Sequence, residues 1–517
     1  MFDGNTPRIG HAARDVSLIV LSFLFVPFTT FVVFWSYTIT LFFPPDVLKC
    51  RQNVRSTHTP YFEPKTVLVT GVGMTKGLCL ARLFHMAGHN VVGADFEPML
   101  LPICAGRTSR ALQAFYKLSR PTAGRDSQAK YTRSILDIIR KEKVQLWVSC
   151  SGVASAVEDG MAKETVELMT SCKAVQFDVS TTQRLHEKHS FIDYTKSLNL
   201  PVPETYTVIS KAAALQVLLN DAAGTDKKYI LKYVGTDDAV RGDMTLLPLA
   251  SPSLTKLHLS AFEISEDRPW ILQQYIRGQE FSTHALVIQG EVKAFVACPS
   301  SELQMHYRAL PADSALSRSM LRFTQEFALA GGKHFTGHLS FDFLVQQDEA
   351  DRAARDAGAE VRLYPIKCNP RVHTAVCLFG NTPELVEGYL SLLEAKPRPP
   401  TPTKRSRTPN GLARDPIFPS APAKYYWVGH DLVELIILPL LSLFSREGPS
   451  FLEVFEHVTA FIEHVFEWHD GTFEFWDPLP VWWLYHVYWP TQLLMALLKG
   501  EKWSRINLST CKMFMCS

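Results

Sequence analysis

At 517 residues the chain is too long for one simple core, and about two or three domains are expected. Its 53 Lys and Arg nearly balance 51 Asp and Glu, and no basic stripe is interleaved with aromatics, which excludes a strong pull towards nucleic acid or an acidic partner. Ten scattered cysteines form no Cys-x-x-Cys pair, which argues against a zinc site or disulfide framework and for reduced thiols in an intracellular catalytic part.

A short tail, residues 1–15, precedes an uncharged run at 16–43 rich in Leu, Val, Phe and Ile. This run exceeds the ~20 residues a helix needs to cross a bilayer. It is expected to be a single membrane anchor, although a buried helix or a cleaved targeting segment shares that composition. Arg8 and Arg14 lie before it and Lys49, Arg51 and Arg55 after it, so the flanking charge hardly orients it.

Residues 65–70 read as a strand, followed by the glycine turn Gly71-Val-Gly73-Met-Thr-Lys-Gly77, a helix to Ala87, and a second strand ending at Asp95. This β-α-β unit with an acid after its second strand suits a dinucleotide-binding reductase. A short-chain reductase also needs a Tyr-x-x-x-Lys pair, and none follows downstream. The turn is therefore read as structural, or as contacting substrate. A buried strand at 144–150, a small-residue loop at 151–155 and a helix from about 158 complete an α/β domain over 60–180.

The character changes at 181. A helix begins near Lys188, and Leu200-Pro-Val-Pro203 marks a junction. Residues 229–235 form an apolar strand with Lys232 inside it, and Arg241 sits in the loop that follows. A lysine entering such a loop suits phosphate, or faces solvent on an edge strand. Residues 269–284 carry a strand to a hinge at 274–276, turn at Gly278 and resume with Glu280. Backbone groups there could bond an adenine edge, and Glu280 could accept from ribose hydroxyls. Residues 339–378 hold two more strands, with Asp342 on the first and Lys367 and Asn369 on the second, then Arg371 and His373. Side-chain alternation lets Asp342, Lys367 and Asn369 share a face. A carboxylate and an amide oxygen so placed can hold Mg²⁺ against a triphosphate; an ordinary hairpin closed by Asn-Pro is the plainer alternative.

Residues 396–424 are rich in Pro, Ser and Arg without periodicity and are expected to be a disordered basic linker. A helical region is expected over 425–517. Its aromatic stretch at 478–498 suits either a buried cap or the membrane surface.

In this order the pieces resemble an ATP-grasp ligase, most closely the mycosporine-glycine synthase type. The resemblance rests on Gly-Met-Thr-Lys-Gly-Leu-Cys-Leu-Ala-Arg-Leu-Phe-His at 73–85, Ser-Gly-Val-Ala-Ser at 151–155, Tyr-Ile-Leu-Lys at 229–232 and Pro-Trp-Ile-Leu-Gln at 269–273. Ile-Arg-Gly-Gln-Glu at 276–280, Cys-Asn-Pro-Arg-Val-His at 368–373, Tyr-Trp-Val-Gly-His at 426–430 and Asp-Pro-Leu-Pro at 477–480 extend it.

The resemblance implies an α/β fold. A Rossmann-like pre-ATP-grasp domain precedes a two-lobed α+β ATP-grasp domain at 181–395, with an N-terminal transmembrane helix and a C-terminal helical region. It implies ATP and Mg²⁺ as cofactors. Lys188 and Lys232 would contact phosphates together with Arg241. Gln274, Tyr275 and Ile276 would read adenine, with Gln274 replacing the usual acid, and Glu280 would bind ribose. Asp342 and Asn369 would bind metal, and Arg371 would neutralise the transferring γ-phosphoryl group. Lys367 departs from the pattern, standing where a metal-binding carboxylate is usual. Thr75, Lys76, Ser151, Ser155, His284 and His373 are candidates for substrate contact.

The implied reaction phosphorylates a carboxylate or an enol and couples it to an amine, as in small-metabolite or secondary-metabolite biosynthesis. The implied partners are those two small molecules, the membrane through the first helix, and a second copy of the chain, with no nucleic acid. ATP use and reduced cysteines place the catalytic part of a single-pass membrane protein in the cytosol. A catalytically impaired ATP-grasp protein that binds nucleotide or metabolite, and an NAD(P)-dependent reductase, are the competing expectations.

Overall fold

The computed structural model describes residues 6–43, 62–98, 101–122, 124–150, 152, 155–221, 227–233, 244–300, 305–394, 415–420, 423–443 and 448–516. Strand β1 (Thr66–Thr70) is the centre of a five-stranded parallel sheet of order β3-β2-β1-β4-β5. The others are β2 (Asn90–Phe96), β3 (Ala114–Leu118), β4 (Leu146–Val148) and β5 (Lys173–Val175). Strands covered on both faces need apolar side chains on both. Val67, Val69 and Val148 pack under helix α2 (Thr75–Met86), while Leu68, Val92 and Trp147 pack under α3 (Arg125–Glu142) and α4 (Ala156–Met169).

The turn between β1 and α2 needs its glycine. Gly71 has φ +73°, and a Cβ there would sit 2.7 Å from the carbonyl oxygen of Cys150. The backbone N–H of Gly73 donates to Asp95 Oδ2 at 2.6 Å, and that of Phe96 to Oδ1 at 2.7 Å. The acid that a dinucleotide reductase would offer to a ribose is thus occupied in bracing the turn.

Two antiparallel sheets follow. The smaller has order β6-β8-β7, from β6 (Thr205–Val208), β7 (Tyr229–Tyr233) and β8 (Trp270–Gln274). The larger has order β10-β9-β12-β13, from β9 (Gly278–Ile288), β10 (Glu291–Pro299), β12 (Gly337–Gln346) and β13 (Tyr364–Asn369). One face of the larger sheet buries Phe341 and Phe343 against Phe323 and Phe327 of helix α6 (Ala315–Gly331), with ring centroids 5.0 to 5.3 Å apart in edge contacts. Its other face, with Leu286, Ile288 and Val296, shares one core with Leu80 and Phe84 of α2. The parallel domain and the larger sheet therefore pack as one body.

The last hundred residues differ from expectation in two ways. Residues 415–420, expected within the disordered linker, are ordered. Ile417 accepts from the N–H of Phe295 at 2.9 Å and donates to the carbonyl of Lys293 at 2.8 Å, so it covers the open edge of β10. The C-terminal region is not purely helical. Strand β14 (Lys424–Tyr426) lies between β11 (His306–Arg308) and β15 (His469–Asp470), and β16 (Trp503–Asn507) pairs with β17 (Lys512–Met515) in a hairpin. The region is clamped to α2 by a buried ion pair. Arg82 Nε donates to Asp477 Oδ2 at 2.9 Å, and Asp477 also accepts from Ser109 Oγ at 2.6 Å and the Arg110 N–H at 2.8 Å.

Helix α1 (Arg8–Phe42) begins before the expected position 16. Its first turns hold charged residues because the C-terminal hairpin pairs with them. Trp503 Nε1 donates to Asp15 Oδ1 at 2.8 Å, and Arg14 stacks over the Trp503 ring at 3.3 Å. The helix is long and apolar enough to cross a membrane. Along its length it lies against α8 (Leu479–Trp483), the run 484–488 and α9 (Trp489–Lys499), while helix α7 (Phe451–Glu467) packs on the run 432–437. Ser22 Oγ donates to the carbonyl of Tyr485 at 2.8 Å, Thr29 Oγ1 and His486 Nε2 share a hydrogen bond at 2.6 Å, and Trp482 Nε1 donates to Thr30 Oγ1 at 3.0 Å. On the opposite side Phe23, Leu24, Phe31 and Phe34 are more than half exposed.

Candidate active site

The charged residues singled out on the larger sheet meet in one row. Ser282 of β9, Asp342 of β12 and Lys367 of β13 are direct cross-strand partners. Asp342 Oδ1 accepts from Ser282 Oγ at 2.9 Å, and Oδ2 accepts from Asn369 Nδ2 at 3.3 Å. Partial burial pushes the Asp342 carboxyl up, while first Lys367 and then Ser282 and Arg371 draw it down. Glu280, two residues before Ser282, accepts from Ser300 Oγ at 2.9 Å.

The smaller sheet faces this row across a cavity of about 3380 Å³. Lys232 of β7 enters it and donates from Nζ to Gln273 Oε1 at 2.6 Å. Burial and then Lys188 lower its ammonium to about 8, with Glu280 acting the other way. Lys188 is the first residue of helix α5 (Lys188–Ser197) and lines the same cavity.

A second pair of cations lies beside the glycine turn. Lys76 is almost fully buried, and its Nζ donates to the carbonyl of Val372 at 3.1 Å. Burial and then Arg371 lower its ammonium to about 7. Arg371 lies against Asn369, with Nη2 donating to Oδ1 at 3.4 Å, and its buried Nε has no hydrogen-bond partner among the described residues. A buried guanidinium with an open donor is a place for an anion.

Of the residues singled out in the sequence, Lys76, Ser155, Lys188, Lys232, Glu280, Asp342, Lys367, Asn369, Arg371 and His373 line this cavity. Ser151 and Arg241 lie outside the described residues. Thr75, Gln274, Tyr275, Ile276 and His284 are not among the lining residues. Thr75 Oγ1 accepts from Trp427 Nε1 at 3.1 Å, and His284 is buried behind the site, with its ring held neutral by a value pushed down to about 3. At the hinge, the N–H of Gln274 donates to the carbonyl of Glu204 at 2.7 Å and that of Tyr275 to the carbonyl of Lys228 at 2.6 Å. Ile276 is buried. On β8 it is Gln273 that faces the cavity, one position away and hence on the opposite face. Ser282 was also missed, although a two-residue step from Glu280 along the strand pointed to it.

The oxygen donors fit one divalent hard cation better than two. Asp342 gives a carboxylate, Asn369 on the adjacent strand would give its amide oxygen once the amide turned from its present bonds to Asp342 and Arg371, and Lys367 adds positive charge beside them. Asp342 and Asn369 would hold one hard divalent cation such as Mg²⁺.

No family model matches the chain, and no curated protein matches it. Solved structures of similar shape include N5-carboxyaminoimidazole synthetase from Staphylococcus aureus, at 13% identity and a TM-score of 0.41, covering 60% of this chain and 71% of that one. The biotin carboxylase subunit of a pyruvate carboxylase is similar at 13% and 0.44, covering 65% and 71%. An L-amino acid ligase from Bacillus licheniformis is similar at 12% and 0.37, covering 61% and 68%. At these identities and scores the likeness says nothing of activity.

Proposed function

We propose that the chain is an ATP-grasp carbon–nitrogen ligase that activates a carboxylate, or an enol of equivalent character, with ATP and joins it to an amine. The observation that carries this reading is the convergence of Lys188, Lys232, Lys367 and Arg371 around the Asp342–Asn369 pair in one cavity between two sheets. Four cations about one carboxylate–amide pair match a magnesium triphosphate and exceed what a structural ion pair needs.

Lys188 and Lys232 hold the phosphate chain from the smaller sheet's side. Asp342 and Asn369 would hold one Mg²⁺, which when bound screens charge between phosphate oxygens. Lys367 supplies the further positive charge that a second divalent ion would otherwise bring. Arg371 and Lys76 seat the acid. The acid oxygen attacks the γ-phosphorus, the bond to the bridging oxygen breaks, and ADP leaves. The amine nitrogen then adds to the acyl carbon, phosphate departs with the bonding pair, and the nitrogen loses its proton. Positioning and charge neutralisation carry the first step. Helix α1 fixes the molecule to a membrane, with the catalytic body on the cytosolic side.

The test uses the full chain with MgATP, candidate acids and amines, following ADP, phosphate and product mass. ADP release that requires both Mg²⁺ and an acid is expected. Nucleotide binding without ADP release under any acid, restored by Lys367→Glu, would show an impaired binding protein instead. Binding of NADPH and not of ATP would overturn the whole reading.

A further inference from the structure

Small-molecule sites enclose about 300–1,000 Å³. At about 3380 Å³, this cavity far exceeds the needs of a nucleotide with a small acid and amine. Part of the excess lies along helix α1. From the phosphate residues the cavity continues past Gly73, Cys511 and Tyr485 to helix α1, where Ala13, Leu18, Leu21, Phe25, Val32 and Val33 line it. Leu18, Leu21, Phe25 and Val32, spaced by three, four and seven residues, share one helical face, and the six residues together span about 30 Å at 1.5 Å per residue. The same cavity is lined by Leu432, Val433, Ile437 and Leu441, with Phe461 and Val465 of α7. Leu21, Phe25, Val32, Val433 and Ile437 are only half-buried. A purely structural helix seam would be close-packed. This one is an open, mostly apolar crevice that also takes in Arg14, Ser17, Ser22 and Thr29, and the same cavity is lined by Lys76 and Arg371.

We infer that the acid substrate is a long-chain amphiphile drawn from a membrane, its apolar chain lying in the crevice between α1 and residues 432–441 and its carboxylate reaching Arg371 and Lys76. This rests on the ligase reading and names its substrate class. The crevice gives the chain an apolar bed, and the unpartnered Arg371 Nε gives the head its counter-charge. The surroundings supply the source. Outside the crevice, Phe23, Phe31 and Phe34 of α1 and Phe451, Phe455 and Phe466 of α7 are all more than half exposed, a broad apolar surface of the kind that meets lipid. The acid would pass sideways from the bilayer between the two helices without crossing water.

The test places the full chain in phosphatidylcholine nanodiscs with MgATP and hydroxylamine, which traps an acyl phosphate as a hydroxamate. Hexadecanoate is expected to support at least tenfold more ADP release and hydroxamate than butanoate. Leu21→Trp or Val433→Trp, each narrowing the crevice, should cut hexadecanoate turnover about tenfold and leave MgATP affinity unchanged. A diazirine-bearing hexadecanoic acid, used on the unaltered protein, should label Leu21, Phe25 and the 432–441 wall, with tenfold suppression by excess hexadecanoate and none by butanoate. Butanoate turned over as fast as hexadecanoate would overturn the substrate class and leave the ligase reading standing. Labels confined to outward residues such as Phe23 and Phe455 would overturn it too. Absence of MgATP binding would instead bring down the ligase reading beneath it.

Discussion

The two ends of the cavity are held in place by different means. At the end proposed to hold phosphate, Ser282, Asp342 and Lys367 ride on three strands whose register is set by a backbone ladder and an aromatic core below. At the far end an apolar helix is pinned by isolated polar contacts, among them Ser22 with Tyr485 and Thr29 with His486. The first end should therefore keep its geometry when a side chain is changed and lose chemistry. The second should lose position by small steps, and chemistry only indirectly.

The sharpest test of that contrast is Arg371→Met. ADP release is expected to fall on the order of 10²–10³-fold, as when one preorganised donor to a developing charge is removed, with the melting temperature nearly unchanged. Coupled-enzyme turnover and thermal melting read the two halves. The joint between the ends is tested by Asp477→Ala, which strands Arg82 in the core. Chemical denaturation should show a loss of about 3–5 kcal/mol. Lys367→Glu alters the phosphate end without moving it. In the absence of Mg²⁺, nucleotide affinity should fall about tenfold, the worth of one charge-assisted hydrogen bond, while saturation by Mg²⁺ becomes steeper. An isothermal titration series at two Mg²⁺ concentrations decides this.

Lys232 gives the same end a pH signature. Its ammonium is lowered to about 8, so the charge that meets phosphate is lost as pH rises through that region. Affinity for ATP should decline from pH 7 to 9.5, and Lys232→Arg should flatten the decline. The stability term has the opposite sense. Between about 8 and the ordinary lysine value the unfolded chain binds more protons than the folded one, so this group favours folding more as pH rises. The smallest effect belongs to the far end. Thr29→Val removes one hydrogen bond to His486 and should cost about 1 kcal/mol in a denaturation midpoint, with turnover of a water-soluble acid unaffected.

The sequence was readable where local pattern and tertiary role agree. Continuous apolar strands around a glycine turn announced the parallel domain, and two-residue alternation brought Asp342, Lys367 and Asn369 together. Adjacent residues were harder to separate. That Gln273 and not Gln274 lines the cavity was not legible, because parity on a five-residue strand is decided by its partners. Ile417 could not be read as a sheet partner, because its neighbours are proline-rich and its own partners, Lys293 and Phe295, are more than a hundred residues earlier. Ser22 and Thr29 passed as ordinary residues of an apolar run. Only their partners in the last forty residues show that they hold the helix to the body.

Those partners also order the events of synthesis. Arg14 and the Trp503 carbonyl it bonds are 489 positions apart, so helix α1 is made long before the residues it docks on. In the interval its apolar surface has no protein cover, and only a bilayer or a chaperone can shield it. A chain stopped short of residue 503 would keep its phosphate sheet and its glycine turn, yet release α1 from the contact at its first turns. Loss of the C-terminus should therefore register first as misplacement and aggregation of the N-terminus.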